Sequence, residues 1–358
     1  MSWRGTFGSF CLSLFIFSIA GCHENVSARP VGAAVTITPP LGLPAVPVPA
    51  DNPPTEASIA LGHKLFYDTQ VSVDGTIACS SCHDPRRYFT DGAPVSSGVG
   101  GQKGTRNAPT VLNAVYLPFQ FWDGRAITLE QQAGSPIINP VEMQEKNHAA
   151  AVAKLQAESE YGPMFQRAFG STEITIQRVE NALASFERTL LSGNSPFDQY
   201  EFGGNRAALT AAQVRGLAVF RDPQRGNCAV CHTIGEHSAL FTDGKFHNTG
   251  EGVGETGEFT DVGRYHETKV VTDTGAFLTP TLRNIGETAP YMHDGHLKTL
   301  KEVVDFYAGQ GNSNAYLDPE MKSIHLTGRD REDLVEFLQS LTGTMPADSG
   351  PPQENASR

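Results

Sequence analysis

The chain has 358 residues, 39 % of them hydrophobic and 18 % charged, which is enough for two domains of ordinary size. Its formal charge is −12 and no basic cluster interrupts it, which argues against nucleic acid as a partner and leaves a basic protein surface as the kind it would steer.

At the N-terminus Arg4 precedes an apolar run, FCLSLFIFSIA, that ends in Ala20-Gly21-Cys22. The run is short for a membrane span and reads as an export signal. The small residues before Cys22 resemble a bacterial lipobox, so residues 1–22 are predicted to be a lipoprotein-type signal peptide, with Cys22 lipidated in the periplasm. An ordinary signal cut nearby is the alternative, and under either reading the protein is exported and touches the membrane at most through that anchor. Residues 23–54 are proline-rich and predicted to be an extended tether, and residues 344–358 a disordered tail.

The next landmark is Cys79-Ser80-Ser81-Cys82-His83, which recurs as Cys228-Ala229-Val230-Cys231-His232. Cys-x-x-Cys-His is the attachment signature of covalent haem c, with two thiols on the porphyrin edge and the histidine on iron. A zinc site would have to pair motifs that stand nearly 150 residues apart. A redox dithiol has no need of the adjacent histidine.

The surroundings repeat as well. Gly62-His63-Lys64-Leu65-Phe66-Tyr67-Asp68 precedes the first motif, and Gly216-Leu217-Ala218-Val219-Phe220-Arg221-Asp222 the second. Pro109-Thr110-Val111-Leu112-Asn113 matches Pro280-Thr281-Leu282-Arg283-Asn284, Asp123-Gly124 matches Asp294-Gly295, and Thr128-Leu129 matches Thr299-Leu300. One offset through three landmarks predicts two related haem domains, an N-terminal one over 55–205 and a C-terminal one over 206–343. Apolar spacing predicts helices at 174–191, 213–220, 300–307 and 330–341, and glycine-rich loops at 91–105 and 250–264. The expected fold class is mainly α: two cytochrome-c-like haem domains related by an internal repeat.

The repeat also contrasts the two sites. Thirteen residues after Asp294 stands Tyr307, and thirteen after Asp123 stands Pro136. Tyrosine can ligate iron and proline has no side-chain donor, so if both face their haems, the second is capped and the first open. A packed core tyrosine is the other reading, and Met292, His293, His296, Met321 and His325 are rival ligands. Near the first haem, Glu142 lies in an apolar, proline-flanked segment running from Phe121 past Gln132 to Met143. A buried carboxylate there can move a proton between the two oxygens of a peroxide; a solvated loop carboxylate is the alternative.

Over residues 55–342 these motifs, with FWDGRA, VEM, PTLRN and APYMHDG, resemble the bacterial di-haem cytochrome c peroxidase family and its MauG-like branch. The resemblance implies that Glu142 is the distal acid–base residue, Gln132 its partner with Pro136 beside them, and Trp122 the tryptophan between the haems. It implies a calcium ion between the haems held by Asn107 and the carbonyls of Thr288 and Pro290, and makes His293 a residue lining the second site. Two departures from classical members stand out. Tyr307 replaces a methionine ligand, and Val99 stands where a loop histidine would cap the peroxidatic iron at rest. The first haem is therefore expected to be five-coordinate without prior reduction.

The expected function is that of a haem peroxidase acting on hydrogen peroxide, with oxidising equivalents relayed through Trp122 to the second haem. They would then be refilled by a small redox protein (a c-type cytochrome or cupredoxin) or drawn from a tryptophan or tyrosine of a protein substrate. A non-catalytic di-haem electron carrier is the alternative class, and it would require both irons to be six-coordinate.

Overall fold

A computed structural model describes residues 1–2, 27–254 and 256–352. The export signal from Trp3, with Cys22, and the tail after Pro352 lie outside the described residues. None of the helices among the described residues is long and apolar enough to cross a membrane.

The first half contains helices α1 (Glu56–Tyr67), α2 (Cys79–Cys82), α3 (Leu129–Ile138), α4 (His148–Ala157), α5 (Tyr161–Phe169) and α6 (Ile176–Glu187). After α7 (Pro196–Glu201), the second half contains α8 (Ala211–Arg221), α9 (Tyr265–Thr268), α10 (Leu300–Ala308) and α11 (Gly328–Gln339). A two-residue antiparallel pair, β1 (Phe246–His247) with β2 (Phe277–Leu278), is the strand content of the named elements. The four predicted helices are α6, α8, α10 and α11, each starting at an N-cap threonine (Thr175, Thr210, Thr299, Thr327) whose hydroxyl accepts a backbone N–H of the first turn.

The repeat is built on one packing device used twice. In the first half α1 crosses α6, and in the second α8 crosses α11. A Cβ on Gly62 would run into the Ala182 carbonyl oxygen of α6, and one on Gly216 into the Asp333 carbonyl oxygen of α11. Glycine lets each helix pair approach to backbone contact. Phe66 and Phe186 pack edge-on at 5.4 Å beside the first crossing, and Phe220 and Phe337 pack with tilted rings at 5.1 Å beside the second. The turns repeat too: Asn113 and Asn284 (φ 64° and 61°) and Phe121 and Met292 (φ 66° and 70°) occupy the left-handed region at matching positions.

The proline-rich segment, expected to be an extended tether, carries no named helix or strand over residues 27–54 and is held against the fold. Val31 N–H bonds to the Ala168 carbonyl, Asn194 N–H to Leu41, and Ala239 N–H to Gly42, so the strap touches both halves. Leu43 is buried with Ala184 and Leu191. Arg283 stitches the strap to the second half: its guanidinium donates to the Gly42 carbonyl and to both Asp198 oxygens, all buried. The start of the expected tail is also placed, since Tyr67 Oη donates to the Ser349 carbonyl and His63 Nε2 lies 2.6 Å from the Gly350 carbonyl.

Two candidate haem sites

Each Cys-x-x-Cys-His motif opens into its own cavity, with the two cysteines and the histidine in its wall. Cys79, Cys82 and His83 line one of about 60 Å³; Cys228, Cys231 and His232 line one of about 250 Å³ with an apolar wall. That separation removes a shared zinc site. Burial pushes the Cys79 thiol well above its usual range and the Cys228 thiol to about 12, the reverse of what an activated dithiol needs.

The histidines are set for a metal. His83 Nδ1 lies 3.1 Å from the Phe89 carbonyl and His232 Nδ1 2.8 Å from the Phe241 carbonyl. A carbonyl only accepts, so Nδ1 carries the proton and Nε2 presents its lone pair. Burial lowers both histidine pKa values, which keeps the rings neutral. Cys79, Cys82, Cys228 and Cys231 form no disulfide among the described residues. Thiols, neutral imidazole and an apolar cavity in one wall are the donor set that haem c requires, so both sites fit the group.

Gln132, Pro136 and Glu142 all line the first cavity. Gln132 and Pro136 lie on α3, where proline has no N–H to return to the Gln132 carbonyl. Glu142 follows the helix, its Oε1 accepting from Asn139 Nδ2 at 2.6 Å. Burial raises its pKa, with Arg125 opposing. Behind it the 96–104 loop packs against its backbone: Val99 N–H donates to the Glu142 carbonyl at 2.8 Å, and a Cβ on Gly98 would strike the carbonyls of Val141 and Glu142. Val99 is buried and is not in the cavity wall.

Tyr307, on α10, lines the second cavity, where burial, then Cys231 and Cys228, push its phenol above the ordinary range. Of the rival ligands, Met292, His293 and Met321 share that wall, whereas His296 and His325 do not. His293 is stacked on Phe277 at 3.8 Å, which fits a lining role. Trp122 reaches across the halves into the same wall, its indole donating to the Asn107 carbonyl at 2.9 Å and its carbonyl accepting Leu278 N–H. Asn107, Thr288 and Pro290 are there as well. Asn107 Nδ2 donates to the carbonyls of Ala93 and Pro94, leaving Oδ1 as its acceptor. The halves are latched beside Trp122 by Arg106, which pairs with Asp123 and with Asp261 at 2.6 Å.

Sequence reasoning passed over Glu187. It closes α6, is 6 % exposed, and lines the first cavity. Burial raises its pKa to about 8, Arg188 opposing and Glu130 adding. In the sequence it stands inside an amphipathic helix beside Arg188, where a carboxylate reads as an ordinary surface charge.

A family model described as di-haem cytochrome c peroxidase matches residues 56–207, and one described as cytochrome c matches residues 213–342. The chain is 38 % identical over 298 residues to the methylamine utilization protein MauG of Methylophilus methylotrophus, covering 83 % of this chain and 86 % of that one. It is 36 % identical to the cytochrome c551 peroxidase of Pseudomonas aeruginosa, covering 82 % and 81 %. The crystal structure of a MauG-like protein associated with microbial copper homeostasis superposes with a TM-score of 0.76 at 34 % identity, over 85 % of this chain and 94 % of that one. These relatives do not favour a non-catalytic carrier. With two haem-fitting cavities, a duplicated helical frame and these relatives, the chain belongs to the di-haem cytochrome c peroxidase and MauG family of haem oxidoreductases.

Proposed function

We propose that hydrogen peroxide is cleaved in the first cavity and that the oxidising equivalents pass through Trp122 to the second, where a docked protein supplies the electrons. The observation that carries this reading is the convergence of Glu142, Gln132 and Pro136 on the cavity of Cys79, Cys82 and His83, with no ligand-bearing side chain at Val99. Cys79 and Cys82 would hold one haem with His83 on iron; Cys228, Cys231 and His232 would hold the other, with Tyr307 as its second iron ligand. When bound, the haem supplies a redox-active iron that exchanges electrons with peroxide and with the donor.

The chain's own residues do the rest. Glu142, held by Asn139, takes a proton from one peroxide oxygen and returns it to the other, so that the O–O bond breaks with water as the leaving group. Gln132 orients the peroxide by hydrogen bonding, and Pro136 keeps the wall free of a competing donor. Asn107 Oδ1, with the carbonyls of Thr288 and Pro290, would hold a calcium ion between the haems; all are oxygen donors suited to a hard cation. Removing calcium with a chelator should lower the melting temperature of the native protein and leave that of Asn107→Ala unmoved.

The electrons come from a small redox protein, giving peroxide reduction, or from a tryptophan or tyrosine of a protein substrate. Tyr307 favours the second source, because an anionic oxygen donor stabilises ferric iron and lowers the potential. The protein acts after export, anchored through Cys22.

The test is stopped-flow absorbance of the fully oxidised, haem-loaded protein mixed with hydrogen peroxide. A rapid Soret change at near-stoichiometric peroxide is expected. Silence until one electron is added would overturn the open first site.

A further inference from the structure

Glu251, Asp294 and His296 each turn one ligand atom to a common point, the three atoms lying within 4.8 Å of one another. His296 Nδ1 is 3.1 Å from Glu251 Oε1 and 3.0 Å from Asp294 Oδ1. Both distances are those of hydrogen bonds from Nδ1, and a cation in place of that proton would meet the same three donor atoms.

The charges of the cluster do not balance. Two carboxylates face one imidazole, and among the described residues neither pairs with a lysine or arginine. The repeat shows what is missing. Asp123, the counterpart of Asp294, is neutralised by the guanidinium groups of Arg106 and Arg125. In the second half His296 stands at the place of Arg125, and Glu251 adds a further carboxylate. Glu251 is 6 % exposed, its Oε1 accepts Gly252 N–H at 3.0 Å, and its Oε2 is buried with no hydrogen-bond partner among the described residues. An unpaired buried carboxylate oxygen is costly unless a proton or a cation answers it.

We propose that Glu251, Asp294 and His296 bind one divalent transition-metal cation at the edge of the second cavity. The imidazole suits zinc or copper(II) better than calcium or magnesium, which take oxygen donors. His296 is half-exposed, which leaves an entry path and open positions for water. The metal displaces the Nδ1 proton, and the Asp294 carboxylate, which also accepts the backbone N–H of His296 at 3.1 Å, fixes the approach of that residue. Glu251 lines the cavity that holds Tyr307, so the bound cation adds positive charge beside the second haem and favours its reduced form. That last consequence rests on the proposed function; the site itself does not.

The experiment is calorimetric titration of the calcium-loaded holoprotein with zinc, which is redox-inert, at pH 7 in buffers of different ionisation enthalpy. One saturable equivalent with proton release is expected, weakened at least about tenfold in His296→Ala and in Glu251→Gln. Absence of saturable binding, or equal binding in the His296 and Glu251 variants, would overturn the site. Circular dichroism of each variant guards against misfolding, and Asp294→Asn gives a third reading. Peroxide is absent throughout, so the outcome is independent of the catalytic reading.

Discussion

Pro136 and Tyr307 occupy the same place in equivalent helices: each is seven residues past the leucine that opens its helix, Leu129 of α3 and Leu300 of α10, and each lines the cavity of its own half. Both helices begin at an N-cap threonine, Thr128 and Thr299. The frame is thus constant and one side chain differs. Where the first cavity has a ring without a donor, the second has a phenol.

Replacing Tyr307 by methionine should raise the potential of the second haem by at least about 100 mV, within the roughly 0.8 V that axial ligands command. Spectroelectrochemical titration of the two haems reads this directly. An unmoved potential would leave Tyr307 a packing residue.

Glu142→Gln should slow the reaction with peroxide by about 10²- to 10⁴-fold, while haem content and the spectrum of the oxidised protein stay unchanged. Stopped-flow rates at several peroxide concentrations measure it. The variant keeps the Asn139 contact on its amide oxygen, so a loss of rate reports proton transfer.

Glu187 gives a pH dependence with a definite sign. Its pKa rises from an ordinary 4.5 to about 8 on folding, so between those values the folded state holds a proton that the unfolded state has lost. Its contribution therefore falls as pH rises from 4.5 to about 8 and is constant above, with a ceiling of about 5 kcal/mol. Glu187→Gln carries no such charge. Denaturant unfolding should show the variant gaining on the native protein across that window and staying ahead at higher pH.

Gly62→Ala and Gly216→Ala should each destabilise the protein by about 1–3 kcal/mol or more, because the new methyl meets a backbone carbonyl that cannot yield without parting the helices. Unfolding midpoints check this. Comparable losses would show that the two halves carry the same crossing.

What the sequence determined by itself was everything with a local or periodic signature. Cys-x-x-Cys-His, the constant offset between the halves and the spacing of α6, α8, α10 and α11 are read along the chain, since covalent attachment and helical periodicity are local properties. Tertiary structure alone decided what depends on burial and on residues far apart in the chain. Glu142 and Glu187 are 45 positions apart yet share one cavity, and the fold's desolvation raises the pKa of both. The proline-rich strap lies against both halves because carbonyls of Leu41 and Gly42 find donors at Asn194, Ala239 and Arg283, partners that composition does not reveal. Glu251 meets Asp294 and His296 across more than forty residues, and only the folded loop shows that one of its oxygens is buried with no partner among the described residues.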